Sequence, residues 1–403
     1  MKALQLIMAV AVALTVGTAT AKKPKTAKPQ IPILAWYSIP GGQYATLEHY
    51  KALRDAGFTV SFSHTTSYED AVQALDLCAK VGMTSVFTCP ELEKEPEQTV
   101  RKVMRHPGLG YYFLRDEPAN DAMPALAKWA RRIESVDTKH PCYLNLLPVH
   151  AFPSTDAYKE HVALFDSLVN LRQLSYDHYP VNQVGDSVFL NAQYWNNLEV
   201  VSAAARKAGK PFWAFTLDTA HGSYPIPTID QLRLQLYADL AYGAQCLQYF
   251  TYWNPGTETW DFHQAPITQD GRRSPVYELV RQMNVEVQAR ADVFLGAKVE
   301  SVRHTGDNIP LGTTRLTSLP RHITRLDTHG HGALVSCLTN GSKHYTVVQN
   351  TSVTEPLSMD VATDGQLQLV LADGTRQPAA LYGPLFILTP GNIVVFEETV
   401  GGK

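Results

Sequence analysis

Between residues 31 and about 295 the chain repeats one pattern eight times, a short apolar run followed by an amphipathic stretch with helical spacing. The apolar runs fall at 33–39, 59–63, 85–89, 109–114, 142–147, 173–176, 212–217 and 246–253. The helical stretches fall at 46–56, 68–81, 95–105, 123–135, 158–168, 195–208, 229–242 and 274–293. Such alternation implies parallel strands, because a parallel pair needs a long crossover connection and a helix supplies it. Gly57, Gly82, Gly209 and Gly243 each follow a helical stretch, where glycine enters the left-handed conformation without steric cost. Eight units in roughly 265 residues match the size of a closed (β/α)8 barrel. A doubly wound open sheet is the competing arrangement, but it gives no reason to stop at eight.

After residue 296 the texture changes. Short strand-like runs at 333–338, 345–349, 367–370 and 393–396 are separated by Asn340-Gly341, Asp373-Gly374 and Gly391-Asn392 turns. This predicts a small antiparallel β-sandwich at 297–403, beside a barrel at 31–296. At the other end, Met1 and Lys2 precede an apolar run at 4–16, and Ala19-Thr20-Ala21 offers small residues at a cleavage site. We expect a signal peptide at 1–21, cleaved near Ala21, and a basic, Pro-containing leader at 22–30. The apolar run is too short to span a bilayer, no later stretch is long enough, and the expected location is periplasmic or secreted.

Charge narrows the partners. Lys and Arg total 35 against 38 Asp and Glu, a net charge of −3. Without a basic excess there is no electrostatic case for a nucleic-acid partner. The five cysteines (Cys78, Cys89, Cys142, Cys246, Cys337) are an odd number without zinc or disulfide-framework spacing. They read as small buried hydrophobes, with one disulfide left open. The chain has 19 Tyr and 6 Trp, a supply suited to stacking on flat apolar ligand faces.

Barrels place their chemistry at the C-terminal ends of the strands. Those ends deliver Trp36, Tyr37, His64, Glu91, Asp116, Glu117 and Asn145 from the first five units. The last three deliver Tyr176, Asp177, His178, Tyr179, Trp213, Asp218, Tyr249, Tyr252, Trp253 and Glu258. Carboxyls, amides and aromatic rings facing one opening suit a sugar, because rings stack on pyranose faces and carboxyls act on the acetal. The expected partner is therefore a carbohydrate, and no cofactor or metal is implied. His64 and His178 read as hydrogen-bonding groups, since no spacing supports a metal.

The segment Gly108–Pro118, GLGYYFLRDEP, ends the fourth unit with Asp-Glu-Pro. It resembles the strand-four Asn-Glu-Pro or Asp-Glu-Pro of clan A barrel glycosidases, which include the family 42 β-galactosidases. The resemblance implies a glycoside hydrolase in which Glu117 is the general acid/base and Asp116 contacts the sugar 2-hydroxyl. The clan's nucleophile is a Glu ending strand seven, and here that strand reads FWAFTLD with no Glu. Asp177 is the preferred second carboxyl, as nucleophile or base, with Asp218, Glu258 and Glu91 as alternatives. An orienting role toward a sugar hydroxyl is its other reading. Tyr176, His178 and Tyr179 are expected to hold hydroxyls, and Trp36, Tyr252 and Trp253 to stack on the ring. Tyr37 and Asn145 complete the expected binding set, Phe250, Tyr249 and Trp213 are assigned to the core, and Trp260 and His263 to a ligand-contacting loop. Glu117 and Asp177 lie two strands apart around the ring, which leaves a wide, inverting spacing open. A carbohydrate-binding barrel without catalysis, or a barrel lyase or deacetylase, are the rival functions.

Overall fold

The computed structural model describes residues 29–399 apart from 257 and 259. The expected signal peptide and most of the leader lie outside the described residues. The first barrel strands are β1 (Ile33–Trp36), β2 (Val60–Ser61), β3 (Thr84–Phe87), β4 (Leu109–Asp116), β5 (Cys142–Asn145) and β6 (Leu174–Tyr176). A hairpin of β7 (Val181–Val184) and β8 (Ser187–Leu190) then intervenes before β9 (Phe212–Leu217) and β10 (Cys246–Phe250), the seventh and eighth barrel strands. Their order is β5-β4-β3-β2-β1-β10-β9-β6. A parallel bridge between Leu146 and Tyr176 joins the two ends, with Leu146 N–H donating to Ser175 O at 2.8 Å. The ring is closed, so the fold is a (β/α)8 barrel.

The helices lie where the spacing predicts, including Leu47–Asp55, Tyr68–Lys80, Met123–Glu134, Tyr194–Ala208 and Ile229–Ala241. Thr46, Ser67, Ser154, Thr228 and Ser274 cap helix starts by accepting first-turn N–H groups. Gly209 closes Tyr194–Ala208 with φ 66°, the left-handed cap inferred from sequence.

Strand alternation divides the side chains between two cores. Ile33, Ala35, Tyr112, Leu144, Leu174, Tyr176, Leu247 and Tyr249 point out to the helices. Leu34, Trp36, Phe62, Phe113, Tyr143, Trp213 and Phe215 fill the barrel interior. Burying each large apolar side chain contributes roughly 1.5–3 kcal/mol, so these two layers dominate the barrel's stability. All five cysteines are unpaired, four of them buried. Among the described residues no helix is long and apolar enough to cross a membrane.

The remaining strands are β11 (Lys298–His304), β12 (Ile323–Asp327), β13 (Ala333–Asn340), β14 (Lys343–Asn350), β15 (Leu357–Thr363), β16 (Leu367–Val370), β17 (Arg376–Pro378), β18 (Leu385–Leu388) and β19 (Ile393–Glu398). They form a six-stranded sheet, β11-β13-β14-β19-β16-β17, and a three-stranded sheet, β12-β15-β18. All the pairings are antiparallel. Val348, Val394 and Phe396 pack between the sheets, making a sandwich. Their neighbours Tyr345, Val347, Ile393 and Val395 join the barrel's outer core instead. The larger sheet is thereby covered on both faces, and Ser336 Oγ donates to Ala241 O of a barrel helix at 2.7 Å.

Candidate active site

Two of the expected site residues, Asp116 and Glu117, reach one cavity because β4 contains an irregularity. Its pairing with β5 runs Phe113↔Tyr143, then skips to Arg115↔Leu144 and Asp116↔Asn145. Strict alternation from the inward Phe113 would turn Arg115 inward and Asp116 outward. The extra residue reverses that phase, as a bulge does. Arg115 consequently lies outside with Trp129 and Arg132, and Asp116 faces the barrel mouth. Glu117 follows in a left-handed conformation, φ 44°, with its N–H donating to Asn145 O at 2.9 Å. That conformation is uncommon for a residue with a side chain and turns the carboxyl toward the same opening.

The cavity measures about 670 Å³ and is lined by Asp116, Glu117, Asn145, Asp177, His178 and Tyr179 on the β4–β6 side. Asn145 Nδ2 donates to Asp116 Oδ1 at 3.2 Å and to Asp177 Oδ1 at 3.0 Å. The amide is fixed in that orientation from below. Tyr143 OH donates to Gln248 Oε1 at 2.6 Å, and Gln248 Nε2 donates to Ser175 Oγ at 2.9 Å. Ser175 Oγ in turn donates to Asn145 Oδ1 at 2.9 Å. A fully satisfied buried relay of this kind holds its members in one arrangement.

Glu117 and Asp177 are close neighbours in this lining, near enough for each to shift the other's ionisation. Burial first, then the negative charge of Glu117, push Asp116 up to about 7, against the pull of the Asn145 amide. Burial also raises Glu117, while its neighbour Asp177 lowers it. Asp177 is held well above the carboxylate range by burial, then by the charges of Glu117 and Asp116. Asp116 and Glu117 stay open to solvent at the mouth and Asp177 is half-buried, so their mutual repulsion is what opposes ionisation of all three together.

The other wall is aromatic. His221, Tyr224, Phe250, Trp260 and Phe262 line it. Ring centroids are 4.6 Å apart for His221–Phe262 and 4.9 Å for His221–Tyr224. Tyr179 bridges the walls, its ring 5.8 Å from both Tyr224 and Phe250. The wall's loops are tied together. His263 N–H donates to Ala220 O at 3.0 Å, and Gln183 N–H of the β7–β8 hairpin donates to Ser223 O at 2.7 Å.

Trp36 and Tyr37 also line the cavity. Trp36 is 2% exposed and presents its edge from the barrel core, 4.5 Å from Phe62 and 5.3 Å from Phe215. Tyr176, Tyr252 and Trp253, expected to bind sugar, are buried in the outer core and do not line the cavity. Parity explains Tyr176, since Ser175 and Asp177 take the inward positions. Tyr252 and Trp253 donate N–H groups to Trp36 O and Tyr37 O, and Trp253 packs 4.9 Å from Tyr44. Phe250, assigned to the core, lines the cavity instead. Tyr249 and Trp213 are in the core as read. Asp218 is fully buried off the cavity, Glu91 and His263 lie off it, and Glu258 sits on its exposed rim.

Sequence reading missed His150, His221, Ser223, Tyr224 and Phe262. The β7–β8 hairpin was also missed, although Gly185-Asp186 between alternating runs is a turn signal.

A family model described as glycoside hydrolase family 42, β-galactosidase, matches residues 127–290. The stretch contains Asp177 and the aromatic wall but begins after Glu117. No curated protein matches the chain. Among solved structures, β-galactosidase from Bacillus circulans sp. alkalophilus is 9% identical with a TM-score of 0.59, over 92% of this chain and 99% of that one. A glycoside hydrolase family 5 protein from Bacteroides vulgatus is 12% identical with a TM-score of 0.57, over 92% and 89%. The chain spans 60% of the β-galactosidase from the psychrophilic Marinomonas ef1, at 10% identity, 64% of this chain and a TM-score of 0.47. It spans 58% of the one from Halorubrum lacusprofundi, at 14% identity, 64% of this chain and a TM-score of 0.46. At these identities the structural likeness is one of fold. Fold and family match together make the chain similar to the glycoside hydrolase barrels of clan A, with an additional β-domain. Within that class the chain resembles the family 42 β-galactosidases.

Proposed function

We propose that the protein hydrolyses a β-linked oligo- or polysaccharide at the mouth of the barrel. The observation that carries this reading is the placement of Asp116, Glu117 and Asp177 on one wall of a sugar-sized cavity whose other wall is aromatic. Glu117 is the proton donor to the departing glycosidic oxygen. Its raised affinity for a proton keeps a share of it protonated at pH values where an exposed Glu is ionised. Asp177, its neighbour in the lining, is the second carboxyl, as nucleophile or base. Asp116, Asn145, His178, Tyr179 and Tyr37 hold hydroxyls, and Tyr224, Phe250 and Trp260 face the ring's apolar side.

The proposal extends to the whole chain: residues 31–296 form the catalytic unit, 297–403 the appended sandwich, and the protein is exported after cleavage near Ala21. Among the described residues the one acid in the lining outside the Asp116, Glu117 and Asp177 group is Glu258, exposed at the rim, which favours a sugar-binding barrel without turnover as the second reading. Glu117→Gln separates the two. Loss of turnover with retained sugar binding by calorimetry is expected. Undiminished turnover removes the assignment, and an inactive parent that still binds sugar favours the second reading.

A further inference from the structure

One ring of the aromatic wall carries a nitrogen acceptor. His221 lies just beyond Asp218 on the loop leaving the seventh barrel strand, 7% exposed and packed against Tyr224 and Phe262. Its backbone is pinned, since its N–H donates to Tyr224 O at 3.2 Å and its carbonyl accepts from Tyr224 N–H at 2.8 Å. Its Nδ1 stands 2.9 Å from Thr219 O. A carbonyl oxygen only accepts, so Nδ1 carries the hydrogen and, in the neutral ring, Nε2 presents a bare lone pair. The carbonyl that fixes this tautomer is itself held. Thr219 Oγ1 donates to Thr251 O at 3.0 Å and accepts from Thr251 N–H at 3.1 Å. Nε2 has no hydrogen-bond partner among the described residues, and it is not closed off from the cavity that the ring lines.

The charge of the lining points to the same kind of ligand. Asp116, Glu117, Asp177 and, at the rim, Glu258 are its acids, and among the described residues no Lys or Arg lines the cavity. Burial lowers His150 and His221 and brings His178 down to about 4, so the three histidines of the lining are neutral near pH 7. A carboxylate, sulfate or phosphate on the ligand would meet no counter-charge and would set its own lone pairs against that of Nε2. A hydroxyl brings the missing hydrogen. Resting on the hydrolase reading, we propose that His221 is a specificity-determining residue: its Nε2 accepts a hydrogen from one hydroxyl of a sugar ring seated against the aromatic wall, and that ring carries no anionic substituent. The wall then divides its task. Tyr224, Phe250 and Trp260 cover the apolar face that any pyranose offers, and they read no hydroxyl pattern. The Nε2 lone pair lies in the imidazole plane and points one way, so it reads a single position. A sugar without that hydroxyl leaves the acceptor covered and unpaired.

The test sets 4-nitrophenyl β-galactoside and β-glucoside, their 2-, 3-, 4- and 6-deoxy forms and the matching galacturonide and glucuronide against the wild type, His221→Phe and His221→Gln. Phenylalanine keeps a ring beside Phe262 and Tyr224 and removes the acceptor, whereas glutamine supplies an acceptor without the ring. In the wild type one deoxy position should cost about 10- to 100-fold in kcat/KM, and the uronides should be cleaved at least about 100-fold more slowly than the parents. In His221→Phe the parent should fall to the level of that deoxy sugar, so that the penalty vanishes at this position alone, and His221→Gln should keep part of it. A uniform loss on every sugar in both variants, with every deoxy penalty intact, makes the ring a wall element only and overturns the assignment. Uronides cleaved as well as the parents also overturn it, and each of these results leaves glycoside hydrolysis standing. If none is cleaved, the same set is read as Kd by calorimetry. A deoxy penalty in Kd that depends on His221 then upholds the contact without the hydrolase reading, and glycosides that neither react nor bind overturn both.

Discussion

Ser175→Ala removes one oxygen from the centre of the relay beneath the carboxyls. Ser175 is fully buried, takes a hydrogen from Gln248 at 2.9 Å and gives one to Asn145 at 2.9 Å. The substitution strands the Gln248 Nε2 donor and the Asn145 Oδ1 acceptor, and each unsatisfied buried group costs about 1–3 kcal/mol. Partial relaxation brings the expected loss of stability to about 2–4 kcal/mol, read as a lowered midpoint in urea. Function should change with it. Asn145 Nδ2 is what pulls Asp116 and Asp177 down, so freeing the amide to turn makes both carboxyls harder to ionise. If the reaction needs an anionic Asp177, the ascending limb of the kcat/KM–pH profile moves to higher pH, and activity on that limb falls about tenfold per unit moved. Unfolding is followed by tryptophan fluorescence and the profile by release of 4-nitrophenol. A wild-type midpoint together with an unmoved limb would show that the relay does not orient Asn145.

Three further outcomes follow from other parts of the molecule. Asp218 is fully buried, with Oδ2 lacking a partner, and burial holds it well above the carboxylate range. The folded state therefore binds its proton more tightly than the unfolded chain, and stability drains away as pH rises from the ordinary carboxyl range toward the folded value, by about 1.4 kcal/mol per unit. Asp218→Asn should raise Tm at pH 7–8 and flatten its pH dependence, and an unchanged slope would contradict a neutral Asp218. Trp260 is 56% exposed at the cavity edge, so Trp260→Ala should raise KM severalfold for sugars that reach the rim while Tm moves little. A KM change with a large Tm drop would place the ring in the fold instead. Gly108→Ala would put a Cβ 2.0 Å from Leu75 O, and the forced backbone shift should cost about 1–3 kcal/mol in chemical denaturation.

Periodicity alone determined most of the scaffold. Apolar runs alternating with 3.6-residue patterns allow little besides parallel strands and covering helices, and every one of the eight units is present. The caps were equally legible, because the conformation after Tyr194–Ala208 is one that Gly209 accepts and a branched residue resists. What lines the cavity was decided at longer range. Alternation correctly sends Ser175 and Asp177 inward and Tyr176 outward, yet a polar tip at a strand end attracted a binding role that parity forbids. On β4 alternation itself fails, since one extra residue between Phe113 and Arg115 reverses the phase and swings Asp116 into the mouth. A bulge is a property of two paired strands, and one strand's residues do not announce it. The link from Asp116 through Asn145 to Asp177 likewise exists only because closure of the ring brings β6 beside β5 and β4. The aromatic wall depends on loops tied to one another by backbone hydrogen bonds, a coupling that local sequence does not encode.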